Sequence, residues 1–174
     1  MMKRLLIDMD DVMADTFTQL IKYTNERQGT NWTKEQINSV EQNLVFRQDY
    51  EKERNMLWEK GFFRTMEVMP GAQEVVEKLH EKYELFVVSA ATEFPQSMAE
   101  KLEWLAEHFP YIGWKHTVFC GHKFMIKADY LIDDHEKNLI SFTGTPLLFT
   151  APHNLGVEGY LRMNSWKEVE NYLL

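Results

Sequence analysis

The chain has 174 residues, 44% apolar and 13% aromatic, enough to bury a substantial core and too aromatic for a disordered chain. With 19 basic against 27 acidic residues the formal net charge is −8, which argues against a polyanionic partner such as a nucleic-acid polymer. A single cysteine, Cys120, rules out an internal disulfide and points to a reducing cytoplasm, and no run approaches the ~20 apolar residues that would cross a membrane.

Met1-Met2-Lys3-Arg4 leads into a short strand rather than a signal peptide. Leu5-Leu6-Ile7 is an apolar strand-type run that ends in Asp8-Met9-Asp10-Asp11. In open α/β folds such a strand delivers its last residues to the carboxyl edge of the sheet, where ligands bind. Asp8 and Asp10 serve one site if the chain turns there; a plain acidic turn is the alternative, since Asp is a common turn former. Phe17, Leu20, Ile21 and Tyr23 then have the spacing of an amphipathic helix that ends near Gly29. Thr33-Lys34-Glu35-Gln36 has the form of a capping box, and Asp49 to Lys60 is a charged helical segment stopped by Gly61. From Asp15 to Met69 the chain reads as helical, with no strand pair.

Pro70-Gly71 punctuates a return to α/β alternation. Ala72, Val75, Val76 and Leu79 predict a helix, and Leu85-Phe86-Val87-Val88-Ser89 a strand. Met98 to His108 predicts a helix with Leu102 and Leu105 inward. Strands follow near Thr117–Cys120, Tyr130–Asp133 and Pro146–Thr150, and Ser165-Trp166-Lys167-Glu168 opens a closing helix. The alternation predicts an α/β fold, a doubly wound parallel sheet of about five strands covered on both faces.

Tyr130-Leu131-Ile132-Asp133-Asp134 is a second apolar strand ending in carboxylates. Two such ends bring three or four acids together, which is costly unless a cation lies between them, and oxygen-only ligands suit a hard ion such as Mg²⁺. Taken alone, the pair Asp133-Asp134 could be a helix cap and Ser89 a turn residue. Cys120 reads as a small buried filler and His122 as a peripheral group.

An Asp-x-Asp after the first strand, a Ser or Thr after the second, then a Lys and an acidic pair form the pattern of the haloacid-dehalogenase (HAD) superfamily. The chain resembles it at Asp8/Asp10, Ser89, Lys123 and Asp133/Asp134. The resemblance implies a core from residues 1–14 and 70–174 with a mobile helical cap, 15–69, over the site. It implies Asp8 as the nucleophile that forms an aspartyl phosphate and Asp10 as acid, then base. Ser89 and Lys123 would bind the phosphoryl group, with Lys127 the competitor to Lys123. Mg²⁺ would be held by Asp8, the Asp10 carbonyl and Asp134, with Asp133 behind it or reached through water.

Asp8–Asp15, Gly61-Phe62-Phe63-Arg64, Val68–Ala72 and Lys127–Asp134 together look like the 5′(3′)-deoxyribonucleotidase family over nearly the whole chain. That implies a small-molecule substrate, a deoxyribonucleoside monophosphate, with cap aromatics around a pyrimidine base. Phe17, Phe46 and Phe63 are the candidate base platforms, cap core being the other reading. The chain departs from the family at Asp11, where Gly is frequent, at Thr16, and over Asn43–Phe46, which aligns loosely. The rivals are a broad sugar phosphate phosphatase and a phospho-accepting signalling domain, although the latter places its acidic pair first. A homodimer is left open.

Overall fold

The computed structural model describes residues 2–174. The chain opens on β1 (Arg4–Ile7), followed by α1 (Thr16–Gln28), α2 (Val40–Tyr50) and α3 (Ala72–Lys82). Then come β2 (Glu84–Ser89), α4 (Ser97–His108), β3 (Thr117–Phe119), β4 (Tyr130–Asp133) and α5 (Glu136–Leu139). The last elements are β5 (Thr145–Phe149), β6 (Leu161–Met163) and α6 (Trp166–Leu173). All strand pairs are parallel, in the order β3-β2-β1-β4-β5-β6. The chain winds outward from β1 on one side, then crosses back to place β4 on the other. The ends of β1 and β4 therefore face the point where the winding reverses, the usual ligand crevice of a doubly wound sheet.

Among the described residues six strands form, not about five. The additional one, β6, is only Leu-Arg-Met at the sheet edge, with Leu161 exposed. Three residues without an alternating or continuous apolar pattern carry no strand signal. Arg162 within it donates to the carbonyls of Asn154 (3.0 Å) and Val157 (2.6 Å), so its side chain closes the preceding loop.

Alternation along the strands builds two cores. Leu5, Ile7, Val87, Ile132 and Leu147 point to one face, under α3, α4 and α6, with Val76, Leu79, Trp104 and Val169 against them. Leu6, Val88, Leu131 and Leu148 point to the other face and meet Leu139 and Phe142. Cys120 packs half-buried at the edge of this second core, and burial raises its thiol pKa.

Between β1 and α3 the chain is helical, as its composition implies. Gly29 ends α1 in the left-handed conformation (φ 65°), and its N–H donates to the Asn25 carbonyl. The expected break lies elsewhere further on. Thr33-Gln36 encloses only a single 3₁₀ turn, and α2 is capped by Ser39, whose hydroxyl accepts from the Gln42 N–H (3.2 Å). A 3₁₀ segment, Glu51–Trp58, with a kink at Glu53, replaces the expected helix over Asp49–Lys60. Helix α2 escaped the sequence reading because Val40, Leu44 and Val45 are exposed while Asn43 and Phe46 are buried, so no apolar stripe marks it.

The two legs joining this segment to the sheet run side by side. Asp15 N donates to Glu67 O and Met69 N to Met13 O, both at 2.8 Å. The buried Glu100 on α4 anchors the return leg, accepting from the N–H groups of Gly61 (2.6 Å), Phe63 (3.1 Å) and Arg64 (3.1 Å). Among the described residues no helix is long and apolar enough to cross a membrane.

Candidate active site

The last rung of β1 is the Asp8 N–H, which donates to the Ile132 carbonyl (2.9 Å). Beyond it the chain folds tightly: Met13 N and Ala14 N both reach Met9 O at 2.9 Å. Asp11 takes a positive φ of 54°, a conformation in which Gly is strain-free and Asp tolerated. Its carboxylate accepts from Phe17 N (2.7 Å), and the Trp166 indole pins the loop from α6 by donating to Val12 O (2.8 Å). This turn delivers Asp8 and Asp10 to one cavity.

Asp8 Oδ1 is held by the Met9 N–H (2.7 Å) and the Lys123 ammonium (2.6 Å). Lys123 is itself buried, and its Nζ also meets Asp133 Oδ2 at 2.6 Å. Burial works against that charge, but Asp8 and Asp133 more than offset it and raise its pKa. Lys127 is exposed and contributes a carbonyl to Arg4, so the cluster contains Lys123 alone of the two. Asp133 is saturated: besides Lys123 it accepts from His135 N (2.8 Å) and Asn138 Nδ2 (3.0 Å to each oxygen). It thereby holds the Lys123 ammonium beside Asp8.

Asp134 differs. Its Oδ2 faces His153 Nε2 (3.1 Å) and His135 Nε2 (3.7 Å), whereas its Oδ1 is enclosed with no hydrogen-bond partner among the described residues. Burial would raise its pKa, but the His153 bond and the His135 charge hold it down at about 2. The two imidazoles stack with centroids 4.3 Å apart; burial lowers the pKa of His135, while Asp134 raises that of His153 despite burial. Carboxylate oxygens of Asp8, Asp133 and Asp134 all lie within 4.8 Å of one another. Without a cation Asp8 is driven well above the usual carboxylate range, by burial first and then by its acidic neighbours, against the pull of Lys123.

The sequence reading missed Lys101. It is buried on α4, where its ammonium meets Asp10 Oδ2, donates to Ser89 Oγ (3.0 Å) and sits 4.7 Å from the Phe63 ring centroid. Ser89 is thus fully buried, with its hydroxyl engaged by Lys101. A signal for Lys101 was available. The inward face of α4 runs Ser97, Glu100, Lys101, Trp104, Leu105, the i, i+3, i+4, i+7, i+8 spacing of one helix face. That face turns Leu102 outward, 44% exposed, against the expectation that it packs inward.

Four carboxyl side chains (Asp8, Asp10, Asp133, Asp134) gather around two ammonium groups (Lys101, Lys123). Burial foremost also pushes the pKa of the neighbouring Asp11 up to about 8. A carboxylate oxygen enclosed without a partner among the described residues, with carboxylate oxygens of Asp8 and Asp133 beside it, fits one hard divalent cation.

Over this floor lies a cavity of about 290 Å³, near the small end of ligand pockets, sized for one small molecule. Phe17 and Phe63 line it, together with Leu20, Tyr50 and Phe94. Phe46 does not. It is fully buried behind Phe17 (centroids 5.3 Å), boxed by Trp32 and Tyr50, and belongs to the core of the helical segment rather than to a base platform. His122 is exposed and is not among the residues that line the cavity.

The family model "5' nucleotidase, deoxy (Pyrimidine), cytosolic type C protein" matches residues 2–174. The chain belongs to the 5′(3′)-deoxyribonucleotidase family. A Bacillus subtilis (strain 168) 5′(3′)-deoxyribonucleotidase is 38% identical over 182 residues, covering 100% of both chains. A Staphylococcus aureus (strain Mu50) protein given the same name provisionally is 45% identical over 172 residues, 99% of this chain and 96% of that one. Among solved structures, a HAD family hydrolase from Deinococcus radiodurans with bound phosphate and sodium superposes with TM-score 0.63 at 15% identity. The match covers 99% of this chain and 95% of that one. This deoxyribonucleotidase-family chain is therefore a phosphomonoester hydrolase on the HAD fold.

Proposed function

We propose that the protein hydrolyses deoxyribonucleoside monophosphates through an aspartyl phosphate on Asp8. The observation that carries this reading is the way Asp8 is held: Oδ1 is tied to Met9 N–H and Lys123, while Oδ2 makes no hydrogen bond among the described residues and the residue lines the cavity. A carboxylate pinned by one oxygen presents the other as nucleophile. Oδ2 attacks phosphorus, the ester O–P bond breaks, and Asp10 gives the leaving alkoxide its proton. Asp10 then takes a proton from water that attacks the acyl phosphate, releasing inorganic phosphate and restoring Asp8. Lys123 and Lys101, backed by Ser89, supply positive charge to the phosphoryl oxygens. Mg²⁺ would be held by Asp8, the Asp10 carbonyl and the unpartnered oxygen of Asp134, and supplies charge compensation at the transferring group.

The segment 15–69 acts as the cap over a core of residues 1–14 and 70–174. The paired legs at 13–15 and 67–69 support this reading as its hinge. Phe17 and Phe63 are the aromatic walls for the base.

Steady-state hydrolysis of dUMP, dTMP, UMP, dAMP and glucose 6-phosphate under one set of conditions tests the substrate. A deoxyribose seated on apolar atoms would leave a ribose 2′-hydroxyl unpaired, at roughly 1–3 kcal/mol or ~5- to 150-fold in kcat/KM. Hydrolysis of dUMP or dTMP should exceed that of UMP by such a factor. Equal values, or glucose 6-phosphate as the best substrate, would discard the nucleotidase reading and leave the phosphatase chemistry.

A further inference from the structure

Helix α2 presents one stripe to the cavity that holds Asp8. Asn43, Arg47 and Tyr50, at i, i+4 and i+7, all line it. Asn43 is 9% exposed, yet its side-chain amide bonds to no protein group among the described residues. It is not sealed off like the enclosed orphan oxygen of Asp134, since its polar atoms still meet the cavity. Buried amides are normally hydrogen-bonded. On the same helix Leu44 and Val45 stand 53% and 47% exposed. An amide inward and two aliphatics outward is the reverse of what packing alone favours, which marks the inward amide as kept for a ligand.

The chemistry of that ligand follows from the neighbours. Arg47 and Arg54, from the same segment, offer only donors. Asn43 offers a donor and an acceptor side by side in one plane, in the cavity that Phe17 and Phe63 also line. A flat ring with a paired donor and acceptor on its edge satisfies both. Uracil and thymine present N3–H and O4. Cytosine presents N4–H and N3, which the amide meets after a half-turn about χ2. We infer that Asn43 reads the hydrogen-bonding edge of the pyrimidine base, deepening the nucleotidase reading, on which it rests. The half-turn allows one residue to serve all three pyrimidines, so selection among them is weak at this position.

The test measures kcat/KM of the wild type and Asn43→Leu on three substrates: dUMP, N3-methyl-dUMP, and p-nitrophenyl phosphate, which has no base. The ratio of dUMP to p-nitrophenyl phosphate should fall about 10-fold in Asn43→Leu, the value of a lost pair of neutral hydrogen bonds. N3-methylation should cost the wild type a similar factor and the variant nothing further, because the donor it blocks has already lost its partner. An unchanged ratio, or an equal N3-methyl penalty in both proteins, overturns the inference. If the wild type itself does not prefer dUMP to p-nitrophenyl phosphate, the nucleotidase reading falls and takes this one with it. A wild-type preference that survives in Asn43→Leu overturns only the role of Asn43.

Discussion

The ion pair between Lys101 and Asp10 should respond very differently to removal of each partner. The Lys101 side chain is 2% exposed and that of Asp10 31%. In Asp10→Ala the ammonium stays buried with Ser89 Oγ as its sole polar neighbour. A buried charge stripped of its counter-ion typically costs 3–5 kcal/mol. In Lys101→Met the buried charge itself disappears, along with its desolvation cost, and the thioether fills the space of the aliphatic stem. The surviving Asp10 carboxylate is a third open to the cavity and can be hydrated there, so the loss should stay within about 1 kcal/mol. At roughly 2–4 °C per kcal/mol for a chain of this length, Asp10→Ala should melt about 6–20 °C below the wild type and Lys101→Met within about 4 °C of it. The melts are run in chelator, so that metal binding at Asp10 adds nothing. Activity should invert the contrast with stability for Lys101→Met: kcat/KM should fall about 10²–10³-fold although the fold is intact, since one preorganised charge at the phosphoryl group is lost. Equal melting temperatures for the two variants, or Lys101→Met as the less stable, would refute this account of the pair.

Asp8→Asn should remove turnover and the acid-stable phosphoenzyme, yet melt no lower than the wild type in chelator, because the carboxylate it removes is repelled by its neighbours; retained turnover would sink the nucleophile. Mg²⁺ at a hundred times its Kd should stabilise the wild type by ~2.7 kcal/mol and so raise its melting temperature, and should do so far less in Asp134→Asn; an equal rise in both would remove Asp134 from the metal site. Asp11, with a folded pKa of about 8 against 3.8 unfolded, contributes stability that is complete below about pH 4 and lost as pH rises through 8. The metal-free protein should therefore melt lower at pH 8.5 than at pH 5.5. Asp11→Asn, which keeps an acceptor for Phe17 N–H, should flatten that slope, and an unaltered slope would assign it elsewhere. Glu100→Gln retains two of three backbone donors but turns an NH₂ toward the third, so stability should fall by about 2–3 kcal/mol in urea unfolding; no change would show that the turn does not depend on it.

The acids of this site announce themselves in the sequence because each strand ends where its apolar run ends, and a parallel sheet sends all such ends to one edge. Asp8, Asp10, Asp133 and Asp134 are legible on that basis, whereas Lys123 is preferred over Lys127 only through the family resemblance. The apolar alternation of β1, β2, β4 and β5 is likewise a local property, readable along the chain. The pairing of those strands is not, because order in a sheet depends on which faces the helices cover. Only the folded chain places β4 beside β1 and thereby Asp133 and Lys123 against Asp8. Lys101 is a charge on an otherwise apolar helix face, and nothing local shows that Asp10 and Ser89, 91 and 12 residues away, meet it there. The roles of Phe17 and Phe46 were equivalent in one dimension, two aromatics in helical stretches. Packing separates them, putting Phe17 at the cavity wall and Phe46 behind it. The sequence by itself determined which residues can do chemistry and which strands carry them, since charge and periodicity are written residue by residue. Which lysine pairs with which acid, and which polar group is left waiting for a ligand, was decided by tertiary structure, because hydrogen bonding and desolvation depend on neighbours brought from far along the chain.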